Sequence, residues 1–205
     1  MKEVVLFIEG GGDSKRSRQP LRLGFRAFVG SFPSGVNNSR RPRIVLCGTR
    51  RNAFDQFRLN SGSPESCCLL LVDSEGPVQS LPAEHLRITD KWQFESIDPE
   101  MVHLMVQAME AWFIADKAAL QEYYGNEFNV NALPKRQEVE EIPKEDLKPS
   151  LREATKSTTK GKYHEIKHAS EILERLNRDT IRKAAPHCNR LFRKLEEIYN
   201  AESES

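Results

Sequence analysis

Three short apolar runs, Val4–Ile8, Ile44–Cys47 and Cys67–Val72, alternate with stretches of helical spacing, and this alternation constrains the fold most tightly. Runs this short, rich in branched side chains and free of charge, read as strands buried on both faces. Gly10-Gly11-Gly12 breaks the first run, and Asp13 or Ser14 can cap a helix reaching Val29. Thr49 can cap a second helix over residues 50–59, with Phe54 and Phe57 on one side. Strands that alternate with helices predict a mostly parallel α/β sheet with flanking helices. Met101–Val106 is a fourth apolar run, and Ala108–Leu120 reads as one helix after it. Residues 125–142 are loop-like, and from Pro143 the pattern is helical, including Ile166, Ala169, Leu173 and Leu176 as a core face.

The expected organisation is an α/β core over 1–125, a helical portion over 126–200 packed on it, and a frayed tail at 201–205. A chain of 205 residues with 38% hydrophobic and 30% charged residues excludes collagen-like and wholly disordered classes. No apolar run approaches the roughly 20 residues of a membrane span, and no secretory leader is recognisable. The expectation is a soluble, cytoplasmic chain without membrane contact. Its four cysteines include no Cys-x-x-Cys pair, so they read as buried reduced thiols rather than zinc ligands.

A net charge of +1 conceals a strong asymmetry. Residues 14–60 carry a charge of +10, residues 61–150 carry −10, and residues 151–205 carry +3. The basic block is mostly arginine, whose planar fork matches phosphate oxygens, so a polyanion footprint is one reading. The other is that these arginines are solvated, or paired with the acidic middle of the chain.

The acids fall at informative places. Ligands of an open parallel sheet bind beyond the carboxyl ends of its strands. Glu9 ends the first run, with Asp13 beyond three glycines; Asp73 and Glu75 end the third. Residues two apart on an extended backbone project to one side. If the first and third strands are neighbours, these carboxylates converge and suit a hard cation, Mg²⁺ or Mn²⁺. Oxygens placed far apart, or a lysine plugging the gap between them, would end that reading. Gly10, Gly11 and Gly12 allow close approach of a phosphate, with Lys15, Arg16, Arg50 and Arg51 nearby in sequence. Taken singly, each acid could equally be a surface residue or part of a polar turn.

Glu9-Gly10-x-x-Asp13 after a first strand and Asp73-x-Glu75 after a third resemble the Toprim fold of topoisomerases, primases, recombination mediators and overcoming-lysogenization-defect nucleases. Met105–Asp116 and the segments Lys162-Tyr163, Lys167-His168-Ala169 and Pro186-His187-Cys188 resemble more narrowly a family of small prokaryotic Toprim-like proteins, some found beside ABC- or AAA-type ATPases. The usual Asp-x-Asp is Asp-x-Glu here, which lengthens one arm. The resemblance implies that Asp13, Asp73 and Glu75 hold divalent ions and that Glu9 is a further ligand or the general acid/base. It implies metal-assisted phosphodiester cleavage of nucleic acid, with an ATPase partner in a defence system; a homodimer is compatible with it. Glu110 is a second-tier ligand, about 240° around a helix from Asp116, so at most one of the two joins the site. Lys162 or Lys167 could supply positive charge to the transition state.

Two other readings stand beside this one. A Toprim-like module could bind nucleic acid or a partner without catalysis. Alternatively, His164-Glu165-Ile166-Lys167-His168 matches the H-E-x-x-H signature of zinc hydrolases, in which His164 and His168 chelate zinc. The metzincin extension is absent. With Ile166 on the core face, both histidines sit about 160° away, on a solvent or cleft face. Trp92, Phe94 and Trp112 read equally as core or as base-stacking platforms.

Overall fold

A computed structural model describes residues 2–12, 15–30 and 41–201, apart from the side chains of residues 15–17. Four parallel strands, β1 (Glu3–Ile8), β2 (Arg43–Leu46), β3 (Ser66–Asp73) and β4 (Val102–Met105), form one sheet in the order β2-β1-β3-β4. Parallel neighbours cannot be joined by tight turns, so helices cross between them. They are α1 (Lys15–Gly30) between β1 and β2, α2 (Arg50–Asn60) between β2 and β3, and α3 (Pro82–Thr89) between β3 and β4. Six more helices follow: α4 (Glu110–Ala115), α5 (Lys117–Tyr124), α6 (Lys144–Thr155), α7 (Glu165–Arg175), α8 (Arg178–Ala184) and α9 (Pro186–Ala201). The chain is therefore α/β, with a helical C-terminal region.

Alternation along the strands builds a core on each face. Val4, Leu6 and Ile8 of β1, with Leu69 and Leu71 of β3, face a layer containing Phe28, Trp112, Leu173 and Phe192. Val5, Phe7, Leu70 and Val72 face the other way, onto Phe54, Phe57, Leu86 and Trp92. The first cluster runs without interruption from β1 to α9, so the helices beyond residue 125 complete the core of the sheet. Trp112 packs on Phe28 and Trp92 stacks on Phe54 at 4.5 Å, which makes both indoles core residues. All four cysteines are free thiols, three of them buried. No helix among the described residues is long and apolar enough to cross a membrane.

The structure corrects two readings and adds one helix to them. The helix expected over 108–120 is two, because Asp116 ends α4 and caps α5 by accepting the Ala119 N–H at 3.0 Å. Its second oxygen accepts the Asn177 N–H at 2.8 Å, at the start of α8. Buried carboxylates need such donors, and these two come from segments far apart in the chain. α3, a short helix begun by Pro82, lies in a stretch to which the sequence reading assigns no element. On α7 the face is rotated from the expected one: Ile166 is 54% exposed, while His168, Ala169, Ile172 and Leu173 are buried. The tail expected to fray lies outside the described residues from 202 onward.

α7 reaches this position by packing closely along α1. A β-carbon on Gly24 would stand 2.6 Å from the Ser170 carbonyl oxygen, and the Ser170 hydroxyl donates to the Pro20 carbonyl at 2.5 Å. Backbone-to-backbone approach of this kind leaves no room for a methyl group. Gly24→Ala is therefore expected to lower stability by about 1–3 kcal/mol, read as a lower urea midpoint at unchanged denaturant slope.

Candidate functional site

The register of β1 against β3 decides where the acids meet. Ile8 pairs with Leu71, and β3 runs on to Asp73 while β1 ends. The Glu9 N–H still donates to the Leu71 carbonyl at 3.1 Å, which holds Glu9 in line with the sheet. Its carboxylate then accepts the Asp73 N–H at 3.2 Å. Asp73 in turn accepts the Met109 N–H at 3.0 Å, at the start of α4. Glu75 follows in a turn held by the bond from its N–H to the Gln107 carbonyl and by His85, whose Nε2 lies 2.9 Å from the Ser74 carbonyl oxygen. One oxygen each from Glu9, Asp73 and Glu75 lies within 4.8 Å of the others, the one such acid grouping among the described residues.

Glu75 sits at φ 66°, the left-handed region. A side chain other than glycine, asparagine or aspartate costs about 1–2 kcal/mol there. The carboxylate is thus set at the cluster against a backbone preference.

The acids line a cavity of about 230 Å³ with Glu110, Lys144, Lys148 and Glu165. Gly10 and Gly48 form its rim, each N–H donating to the other's carbonyl at 2.8 and 3.1 Å. The Gly10 N–H is thereby used within the protein and does not serve as the phosphate donor expected from the glycine run. At Gly48, φ is 79° and a β-carbon would come within 2.9 Å of the Arg18 guanidinium, so only glycine lets this loop close.

Burial raises the Glu9 carboxyl to about 7, against the pull of Arg50 and the Asp73 N–H. Burial also raises Asp73 well above the ordinary carboxylate range, reinforced by repulsion from Glu9 and Glu110. Glu110, the first residue of α4, is buried and raised by that burial, while Lys148 at 3.3 Å pulls it back down. The Tyr163 hydroxyl donates to Glu110 at 3.0 Å. Burial opposes the Lys148 ammonium, but Glu110 and Glu165, the latter at 2.7 Å, outweigh it and raise its pKa.

Cations partly offset the acids. Lys144 ion-pairs with Glu75 at the cavity. Arg50, the first residue of α2, donates to Asp90 at 2.8 Å and lies 3.6 Å from Glu75 and 3.9 Å from Glu9. Fully ionised, the five carboxylates lining the cavity outnumber Lys144, Lys148 and Arg50 by two. Burial is the main cause of the raised carboxyl pKa values, and mutual repulsion among the acids adds to it at Glu9 and Asp73. Oxygen donors at this spacing, with an uncompensated negative charge, fit a hard divalent ion, and Lys144 is its local competitor.

The structure thus joins Glu9, Asp73, Glu75 and Glu110, and leaves other candidates elsewhere. Asp13, together with the side chains of Lys15 and Arg16, lies outside the described residues. Lys162 and Lys167 are exposed and do not line the cavity, whose lysines are Lys144 and Lys148 from α6. Both were missed, although their spacing of four places them on one helical face. Arg50 is committed to carboxylates, and Arg51 pairs with Asp55 on the surface of α2. Gly11 is buried and Gly12 lies at the cavity.

Neither His164 nor His168 belongs to a grouping of three metal-ligating side chains among the described residues. His164 precedes α7, and the His168 ring is buried among Tyr123, Tyr124 and Tyr163. Its Nδ1 accepts the His164 N–H at 3.2 Å and lies 3.0 Å from the Tyr124 hydroxyl. A larger cleft of about 960 Å³ opens beyond Gln107 and Pro143. There Glu140 accepts the His187 N–H at 2.8 Å, capping α9, with His187 Nδ1 2.7 Å from its other oxygen.

A family model described as a domain of unknown function, DUF4276, matches residues 8–196. Neither a curated protein nor a solved structure matches the chain.

A Glu9 carboxyl at about 7 rather than 4.5 means that the fold binds a proton more tightly than the unfolded chain. The contribution of Glu9 to stability should therefore fall as pH rises from 4.5 through 7, then level off. Without divalent ions, Glu9→Gln should be more stable than the parent at pH 8 by up to about 3 kcal/mol, and the gain should vanish near pH 4.5. Urea unfolding in chelator across that range reads it directly.

Proposed function

The chain belongs to the DUF4276 family, and from that premise we propose that it is a divalent-metal-dependent phosphoesterase acting on nucleic acid. The observation that carries this reading is the convergence of Glu9, Asp73 and Glu75 within 4.8 Å at the carboxyl ends of two adjacent parallel strands. Raised carboxyl pKa values and the unfavourable backbone at Glu75 support it, because perturbed acids and local strain concentrate at functional sites. The resemblance to Toprim nucleases belongs with this reading, since Glu9 and the Asp73/Glu75 pair are its signature acids. An ATPase partner in a defence system follows from the same resemblance.

Asp73 and Glu75 would hold the ion, with Glu9 beside them. When bound, Mg²⁺ or Mn²⁺ supplies Lewis-acid polarisation of a phosphoryl oxygen. Glu9, with a pKa of about 7, exchanges a proton near neutral pH. In hydrolysis, the oxygen of water bonds to phosphorus and the P–O ester bond breaks; Glu9 accepts the proton of the water and later returns it to solvent, from which the leaving oxygen takes its proton. Lys148, held at the cavity wall by Glu110 and Glu165, places a fixed positive charge where the phosphoryl oxygens gain negative charge. Tyr163 and Glu110 position Lys148 from behind.

Cleavage of labelled DNA and RNA should require Mg²⁺ or Mn²⁺. Asp73→Asn and Glu9→Gln should each reduce it by at least about 10²-fold with circular dichroism unchanged. Undiminished cleavage by both variants would remove the assignment.

A second reading rests on Lys144. Its ion pair with Glu75, together with Arg50, makes the acids an internal salt-bridge network in a non-catalytic module. Lys144→Ala separates the two. Removing a cation near the acids improves binding of Mn²⁺ by about tenfold or more if the cluster is a metal site. In a purely structural network the same change lowers stability and leaves Mn²⁺ binding undetectable by calorimetry.

A further inference from the structure

On the far side of the glycine rim a second concavity runs along the sheet edge. It encloses about 450 Å³ and is lined by Arg18, Gln19 and Arg22 of α1 and by residues 43–46 of β2. β2 is the edge strand, so a ligand here meets backbone as well as side chains. Among the residues lining the groove there are three guanidiniums and no carboxylate. Arg18 and Arg22 are four apart on α1, which stacks them one turn above the other on one face. Arg22 makes no ion pair with any described residue. Among the described residues Arg43 pairs with Glu3 alone, and both partners are about half exposed, so that contact is weak and exchangeable.

This groove adjoins the acid cavity. Arg18 is the shared wall: its Nε donates to the Gly12 carbonyl at 2.8 Å and its guanidinium lies against Gly48, while Gly12 and Gly48 line the cavity of Glu9 and Asp73. A stripe of positive charge therefore leads to a pocket of negative charge. Phosphodiester groups suit the stripe, and a divalent ion makes the pocket attractive to one of them.

We propose that the Arg18–Arg22–Arg43 groove binds the phosphodiester backbone of a polynucleotide and leads it to the acid cavity. The direction of travel rests on reading that cavity as a phosphoesterase centre; binding of the backbone does not. The arginines contact phosphates rather than base edges, so affinity is indifferent to sequence and falls steeply with salt.

The test measures binding of fluorescent oligonucleotides of about 20 residues, single-stranded and duplex, to the full chain in chelator over a salt series. Arg22→Ala/Arg43→Ala should weaken binding about tenfold and reduce the slope of log K against log salt by about 1.4, two phosphate contacts at ~0.7 each on a single strand. Arg175→Ala/Arg193→Ala removes the same charge from α7 and α9 and should change affinity less than twofold. An unchanged slope in the groove variant, or an equal loss in the control, overturns the groove. Because no metal is present, failure of cleavage does not touch this result. Metal-dependent cleavage that is insensitive to Arg22 and Arg43 would leave the phosphoesterase reading standing and remove the groove alone.

Discussion

The pairing of β1 with β3 is the constraint on which the rest of the site depends. Glu9 and Asp73 are 64 residues apart in the chain, yet one register places the Asp73 N–H on the Glu9 carboxylate. Two carboxylates in one partly buried place repel each other, and the molecule tolerates this because both strands are fixed by apolar layers on both faces. Leu6, Ile8, Leu69 and Leu71 on one side, and Val5, Phe7, Leu70 and Val72 on the other, lock the ribbons whose ends present the acids. The stability of the core is thus what holds the acids together at their ends.

Around that pair the protein has built counter-charge in two layers. Arg50 stands on the α2 side and contacts Glu9, Glu75 and Asp90 from a nearly buried position, over the Trp92 ring. Lys144 and Lys148 come from α6 on the other side, and Lys148 is itself steered by Glu110, Glu165 and Tyr163. The arrangement resists collapse into simple ion pairs because the acids remain in excess. Acids therefore dominate the small cavity, whereas the groove on the next face is lined by arginines and carries the opposite charge.

Much of this was legible from local pattern. The strand runs, the Thr49 cap and the acids at strand ends all depend on near neighbours, and each appears in the structure within a residue or two of its expected bounds. The misreadings share one cause. Ile166 looks like a core residue and His168 like a surface one until α1 is laid along α7, because that contact, made possible by Gly24, chooses the buried face. Asp116 splits an apolar helix because donors from Ala119 and distant Asn177 satisfy it. Lys162 and Lys167 lie in the segments that carry the family resemblance, whereas α6 brings Lys144 and Lys148 to the acids.

By itself the sequence determined the class of fold and the identity of the acids that end its strands, because hydrophobic period and strand termination are properties of a few consecutive residues. It also determined that a basic segment exists. Only the tertiary structure decided which cations share the cavity, which arginines are consumed by carboxylates and which line a groove. Those outcomes depend on the order β2-β1-β3-β4 and on the angle at which α6 and α7 return to the sheet. Charge acts through space over distances that the chain covers in dozens of residues, so its partners are settled by packing and not by spacing along the chain.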